Sequence, residues 1–356
     1  MKNKLAIFGR RGFVGGVLVA AGAVGGTLVR AFQSPSAVRK TRPTKKTSSF
    51  VYDVSEWEIT DRSQLLYEPE SEFDTGFKRA KRIAVHGNKV FVAGDRSIKV
   101  FSSSGSLESE IKLSRPPHCM HISRDQELFV GLGNYFEVYS FDGERKLKAP
   151  RPKGANTFLT AIAVHEDTVY LADAGMREVV LCDRSTGEEK GRFGKKDEAL
   201  DNPGIVAPSP YFDLMVSGVG EICLANTGRL RMETYSLDGR FKETWGGPGM
   251  AVDKFCGCCN PVYFTLAPNG DYITSEKGLA RINVYGPDGK FKGAVAGPDM
   301  LVEDKALAKQ ACNDCSVGAG FDVAIDENGR VLAVDPFRMV VRIFKPLEKQ
   351  GLPAQA

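Results

Sequence analysis

The sequence predicts an all-β fold, a six-bladed β-propeller of four-stranded blades, and three observations predict it. Short apolar strands with a period of two recur in pairs from residue 82 onward, which is the pattern of strands buried on one or both faces. The pairs recur six times. Their equivalent apolar positions are Val85, Ile122, Val164, Val216, Leu266 and Ile325, spaced 37, 42, 52, 50 and 59 residues apart. Four short strands every ~40–50 residues are the repeat of a propeller. Finally, Asp142-Gly143, Asp238-Gly239 and Asp288-Gly289 follow the third strand of their repeats, where a tight turn into a fourth strand is required.

The N-terminus precedes this repeat. Residues 1–49 hold ten Lys or Arg and no acid, which leaves 38 basic against 44 acidic residues beyond them. The repeat region is therefore mildly acidic, and nothing in it suggests a nucleic-acid surface. Arg10-Arg11 lead into a glycine-diluted apolar run from Phe13 to Val29. This resembles a twin-arginine export signal, and residues 1–33 are assigned to such a signal or to a membrane anchor. The resemblance implies a protein exported across the cytoplasmic membrane, periplasmic or membrane-anchored. The anchor reading stays open because the run approaches the ~18 residues that begin to suggest a span and no persuasive Ala-x-Ala site follows it. Residues 34–49, with Pro35 and Pro43, read as a basic flexible linker.

The propeller is expected over 50–346, with 347–356 as a tail. The sixth blade stops after its third strand, near Pro346. Phe50-Val-Tyr-Asp-Val-Ser-Glu-Trp57-Glu alternates well and is expected to supply the missing outer strand, closing the ring and covering a free sheet edge. Between these ends, first and second strands can be quoted directly: Ile83-Ala-Val-His with Val90-Phe-Val-Ala-Gly-Asp95, Ala161-Ile-Ala-Val-His with Val169-Tyr-Leu-Ala-Asp173, and Phe321-Asp-Val-Ala-Ile with Val331-Leu-Ala-Val-Asp335. Third strands include Ile98-Lys-Val-Phe, Arg281-Ile-Asn-Val-Tyr and Val341-Arg-Ile-Phe. This consensus resembles the NHL-repeat family of six-bladed propellers over about residues 80–346. Blade 2 departs from it, with Gly131-Leu-Gly133-Asn134 where an acidic residue is expected.

Five of the eight cysteines cluster in two segments, Phe255-Cys-Gly-Cys-Cys-Asn-Pro261 and Ala311-Cys-Asn-Asp-Cys-Ser316. The first segment also resembles one in bacterial exported NHL-type propellers. Each precedes the inner strand of a neighbouring blade, so propeller topology places Cys256, Cys258, Cys259, Cys312 and Cys315 on one face near the central channel. Three chemistries fit. Disulfides between the loops suit an exported protein. A thiolate set holding zinc or an iron–sulfur cluster suits the Cys312-x-x-Cys315 spacing. A redox pair suits the same motif. Cys182 and Cys223 fall inside strands, where a thiol packs as a small apolar group.

The second strands end in Asp95, Asp173, Asn226, Glu276 and Asp335, on the same face, with Lys277, Arg177, Arg229 and Arg338 nearby. Such a ring could bind a polar ligand, or simply hold the turns. Related six-bladed enzymes include lyases with histidine-bound zinc and calcium-dependent lactone hydrolases. Here the four histidines, His86, His118, His121 and His165, make no three-histidine set, and no Gly-x-Ser-x-Gly, phosphate loop or His-Glu-x-x-His occurs. The expected function is a binding or scaffold protein that meets a protein partner or small polar ligand through its cysteine-bearing face. The alternatives are a metal- or iron–sulfur-binding redox protein on the same cysteines, and a hydrolase or lyase at the channel mouth.

Overall fold

The computed structural model describes residues 55–199, 201–304 and 320–348. Among these residues, twenty-four strands form six four-stranded antiparallel sheets. In chain order, β1 (Tyr67–Asp74) is followed by blade 1, which is β2 (Ala80–His86), β3 (Lys89–Gly94), β4 (Ser97–Ser102) and β5 (Leu107–Lys112). Blade 2 is β6 (Cys119–Ile122), β7 (Leu128–Gly131), β8 (Phe136–Tyr139) and β9 (Arg145–Lys148). Blade 3 is β10 (Leu159–His165), β11 (Thr168–Asp173), β12 (Glu178–Asp183) and β13 (Glu189–Phe193). Blade 4 is β14 (Leu214–Val216), β15 (Ile222–Asn226), β16 (Arg231–Tyr235) and β17 (Phe241–Gly246). Blade 5 is β18 (Tyr263–Leu266), β19 (Tyr272–Glu276), β20 (Arg281–Tyr285) and β21 (Phe291–Ala296). Blade 6 is β22 (Asp322–Ile325), β23 (Val331–Val334) and β24 (Val340–Pro346), completed by β1.

Burial explains why these residues make these strands. Second strands are buried on both faces, as in Val169-Tyr-Leu-Ala-Asp173 of β11. Fourth strands such as β5, Leu-Glu-Ser-Glu-Ile-Lys, are almost wholly exposed. The apolar side chains collect in six cores, each shared by two adjacent blades. Phe91, Ile98 and Val100 of blade 1, for example, pack on Leu128, Val130 and Tyr139 of blade 2. The core between blades 6 and 1 closes the circle, with Leu332, Val334 and Ile343 against Ile83, Val90 and Val92.

The turn glycines between third and fourth strands interlock the blades. Gly239 (φ +90°) lies over the Phe193 ring of the preceding blade, and Gly289 (φ +74°) lies over Trp245. A Cβ at Gly289 would overlap Cβ and Cγ of Trp245. Both the left-handed backbone and the close approach therefore require glycine.

The closing strand is a correction to the sequence expectation. Tyr67–Asp74 pairs with β24, Phe73 opposite Val341, with a bulge between Pro69 and Ser71. Within 50–58, the residues described include a 3-10 turn at Ser55–Trp57 and no strand. Arg62 of the following segment reaches Asp299 at 2.8 Å. The physical reason is position. An outermost strand faces water, so it needs no apolar alternation, and Pro69 is tolerated on an edge. Pairing is reinforced instead by charge: Glu68 meets Lys345 at 3.1 Å, Glu70 meets Arg330 at 3.0 Å and Glu72 meets Arg338. Among the described residues no helix is long and apolar enough to cross a membrane. The export-signal, linker and C-terminal tail assignments lie outside those residues, apart from Leu347 and Glu348.

Candidate functional site

The cysteine loop before β18 is held against the β19–β20 turn. Phe255 is fully buried, its ring centroid 5.9 Å from that of Trp245 and 5.8 Å from that of Tyr285. The Cys256 N–H donates to Glu276 Oε2 at 2.9 Å. Glu276 is gripped in turn by Arg281, with Nε to Oε1 at 2.9 Å and Nη2 to Oε2 at 3.0 Å. The Asn260 amide donates to the Cys256 carbonyl at 2.6 Å and the Lys277 carbonyl at 3.0 Å, and its oxygen accepts the Lys277 N–H at 2.9 Å.

This anchoring buries Cys256 and Cys259 and leaves Cys258 exposed. The Cys258 and Cys259 sulfurs lie 3.5 Å apart as free thiols. Burial, helped by the Glu276 carboxylate, pushes the Cys256 thiol up to about 12. Burial pushes Cys259 up to about 11. Both stay protonated at neutral pH and are poor nucleophiles there. Cys256, Cys258 and Cys259 thus lie together in the loop before β18, held against the β19–β20 turn. Cys312 and Cys315 lie outside the described residues, among which no cluster of three or more His, Cys, Asp or Glu is arranged to hold a metal ion.

The face acids fasten loops. Asp95 accepts the N–H groups of Lys78 and Arg79 at 3.0 and 3.1 Å, and Asp173 those of Phe158 and Met176 at 2.9 and 3.1 Å. Asn226 takes Val206 N–H at 3.0 Å, and Asp335 takes those of Phe337 and Arg338 at 2.8 and 3.0 Å. Each short polar side chain satisfies backbone donors that the incoming loop or the turn leaves without a strand partner. The Lys277 ammonium lies 4.9 Å over the Tyr211 ring. In blade 2 the position that corresponds to Asp173 is the buried Leu132, one residue after Gly131. Cys119 Sγ fills the space beside Gly131 that a Cβ there would need.

A second constellation lies in the channel and escaped the sequence reading. Three residues before each equivalent apolar position, the inner strands read Arg82, Cys119, Ala161, Asp213, Tyr263 and Asp322. Arg82 Nη2 donates to Asp213 Oδ1 at 3.1 Å, and its Nε lies 3.4 Å from Asp322 Oδ2. The guanidinium lies 4.5 Å from the centroid of the Tyr263 ring. Asp213 Oδ2 also accepts the Phe264 N–H at 3.1 Å, and Asp322 Oδ2 the Ile83 N–H at 2.7 Å. Burial would discharge Arg82, but the Asp322 and Asp213 carboxylates outweigh it and hold the guanidinium charged. Burial pushes Asp322 up to about 7, against the pull of Arg82 and with the push of Asp213. Burial raises Asp213 as well. A cavity of about 200 Å³ runs from this layer towards the C-terminal ends of the inner strands. The signal was legible in principle, since one Arg and two Asp stand at equivalent positions of the inner strands, and charged residues are seldom fully buried unless paired.

No family model and no curated protein matches this chain. Solved structures do. The WD40 β-propeller domain of Doa1 aligns with a TM-score of 0.52 at 10% identity, over 82% of this chain and 98% of that one. The streptogramin B lyase structure aligns with a TM-score of 0.50 at 11% identity, over 79% and 98%. A structural genomics protein of unknown function from Bacteroides thetaiotaomicron aligns with a TM-score of 0.54 at 13% identity, over 78% and 73%. At these identities the likeness shows the six-bladed all-β propeller and nothing further. That fold is compatible with a binding or scaffold role, and it hosts unrelated functions.

Proposed function

We propose that this chain is an exported NHL-type propeller that binds a protein partner through its cysteine-bearing face. The observation that carries this reading is the loop around Cys258. Phe255, Glu276, Asn260 and Arg281 fix its backbone through buried packing and hydrogen bonds, yet Cys258 is left exposed on it. A rigid platform with one accessible, polarisable side chain suits recognition, because little ordering entropy remains to be lost on binding. Export rests on Arg10-Arg11 and the apolar run behind them. The test is crosslinking in the native compartment. Cys258 carries a thiol-directed photocrosslinker, and Val219→Cys, on an exposed turn between β14 and β15, serves as the control. Discrete adducts at Cys258 and none at position 219 support the reading. The same adducts from both sites, or none from either, overturn it.

The second reading, a thiolate metal or redox centre, is favoured by one observation: the Cys258 and Cys259 sulfurs stand 3.5 Å apart. Zinc or an iron–sulfur cluster would draw further thiolates from Cys256, Cys312 and Cys315. Metal and labile-sulfide analysis of protein purified without oxygen tests this, and stoichiometric metal would make it the leading reading.

A further inference from the structure

Cys258 and Cys259 form a pair of thiols on a fixed loop. Their sulfurs lie 3.5 Å apart, with Cys258 exposed and Cys259 only 3% exposed. The backbone is pinned on both sides of the pair. Upstream, Glu276 holds the Cys256 N–H at 2.9 Å. Downstream, Asn260 bonds the Cys256 carbonyl and both the carbonyl and the N–H of Lys277. Closing the pair as a disulfide is disfavoured. Adjacent Cα atoms stand ~3.8 Å apart across a trans peptide, short of the ~4.4 Å at which disulfide spans begin, so such a bond is strained and easily reduced. One atom bonded to both sulfurs meets no such strain. With bonds of ~2.3 Å, as in metal thiolates, sulfurs 3.5 Å apart subtend about 99° at that atom. Such an angle suits a pyramidal three-coordinate centre. A tetrahedral centre opens wider, and a linear one far wider.

We propose that Cys258 and Cys259 bind trivalent arsenic, as arsenous acid or an organoarsenical, through both sulfurs. This deepens the thiolate reading above and rests on it for the sulfur pair alone. Donor count and charge separate arsenic from zinc or an iron–sulfur cluster. Those centres take four donors, with the thiols ionised. Among the described residues no third His, Cys, Asp or Glu joins this pair, and Cys259 is buried, where ionisation is opposed. Arsenous acid is neutral and reacts with neutral thiols. Two As–O and two S–H bonds break, two As–S and two O–H bonds form, and two waters leave. No electrons change hands, and no charge is buried with Cys259. The third position on arsenic keeps its hydroxide. The exposed Cys258 supplies the first bond. Cys259, already 3.5 Å away, supplies the second within the same loop, which makes the second step intramolecular.

The experiment takes full-length protein, reduced and desalted, and incubates it with phenylarsine oxide or, separately, with arsenite. Arsenic content and native mass are read after a second desalting. Phenylarsine oxide offers only two positions to thiols, so it reports a pair and not a triad. One arsenic per chain is expected from either probe, with Cys258→Ser and Cys259→Ser each weakening binding ~100-fold or more through loss of the second bond. Cys258 is exposed, so its variant keeps the test decisive if Cys259→Ser fails to fold. No arsenic on the folded parent, equal retention by the parent and Cys258→Ser, or an equal loss in Cys312→Ser or Cys315→Ser would overturn the proposal. Absence of zinc, iron and labile sulfide from the purified protein would end the metal reading above without touching this one, so the two fail separately.

Discussion

Asp322 Oδ2 accepts the backbone N–H of Ile83 at 2.7 Å, so the carboxylate that opens the sixth blade also holds the first. Asp213 does the same between blades 4 and 5 through Phe264 N–H at 3.1 Å. Arg82 stands between the two aspartates. The inner ends of four blades thus share one buried ionic layer, and charge there is coupled to stability.

Replacing Asp322 by Asn should reveal that coupling. The folded state raises Asp322 from 3.8 to about 7, so it binds the proton more tightly than the unfolded chain does. Stability supplied this way is complete below the unfolded value and is lost as pH rises through 7. The substituted amide does not titrate. The stability of the variant relative to the parent should therefore increase between pH 5 and pH 8, by an amount on the order of a few kcal/mol. Thermal melts across that range check it, and a difference that does not change with pH refutes the assignment.

Removing Tyr67–Asp74 should expose the edge of β24 and cause aggregation or a large fall in melting temperature. Glu72→Lys, which reverses one exposed pair with Arg338, should cost only ~1 kcal/mol. Light scattering and melts of both variants decide. A deletion as stable and soluble as the parent would mean that the sixth blade does not depend on this strand.

Gly289→Ala should lose ~2–4 kcal/mol, because the new methyl meets Trp245 and the backbone is left-handed there. Gly218→Ala, whose Cβ would meet nothing within 4 Å, is the control and should be close to neutral. Denaturant melts compare the two, and equal costs would contradict the interlocking turn.

Thiol labelling of native protein at pH 8, mapped by mass, should modify Cys258 ahead of Cys119, Cys182, Cys223, Cys256 and Cys259. Cys258 is exposed and the other five are buried. Burial also raises all five, to about 11 or 12. Rapid modification of Cys256 or Cys259 in folded protein would show that the loop opens.

Arg10→Lys with Arg11→Lys should leave the precursor in the cytoplasm, because the export receptor reads the paired arginines. Fractionation and immunoblotting report this, and normal export of the double variant would end the twin-arginine reading.

The blades were legible because their inner strands are buried and their periodicity is uninterrupted, as in Ile83-Ala-Val or Val169-Tyr-Leu-Ala. The closing strand was not. Residues 50–58 alternate, whereas Tyr67–Asp74 carries four acids and Pro69, and an edge strand held by ion pairs leaves no apolar pattern to read. The position of the cysteine loop, directly before β18, could be read from the repeat. That Cys258 alone of its three cysteines is exposed depended on contacts of Asn260 and Glu276 across 17 and 20 positions. The channel layer was hidden by distance along the chain. Arg82 and Asp213 are 131 residues apart, and only registration of all six inner strands brings them together.

The pairing of β1 with β24 also bears on the order in which a ribosome delivers the chain. Of the described strands, Tyr67–Asp74 emerges first and its partner Val340–Pro346 last. Throughout elongation the strand waits as an unpaired edge, the kind of segment that recruits neighbouring nascent chains. Glu68, Glu70, Glu72 and Asp74 make it a segment that repels its own copies. The same glutamates later meet Lys345, Arg330 and Arg338, so the charge that protects the waiting strand becomes the attraction that seats it.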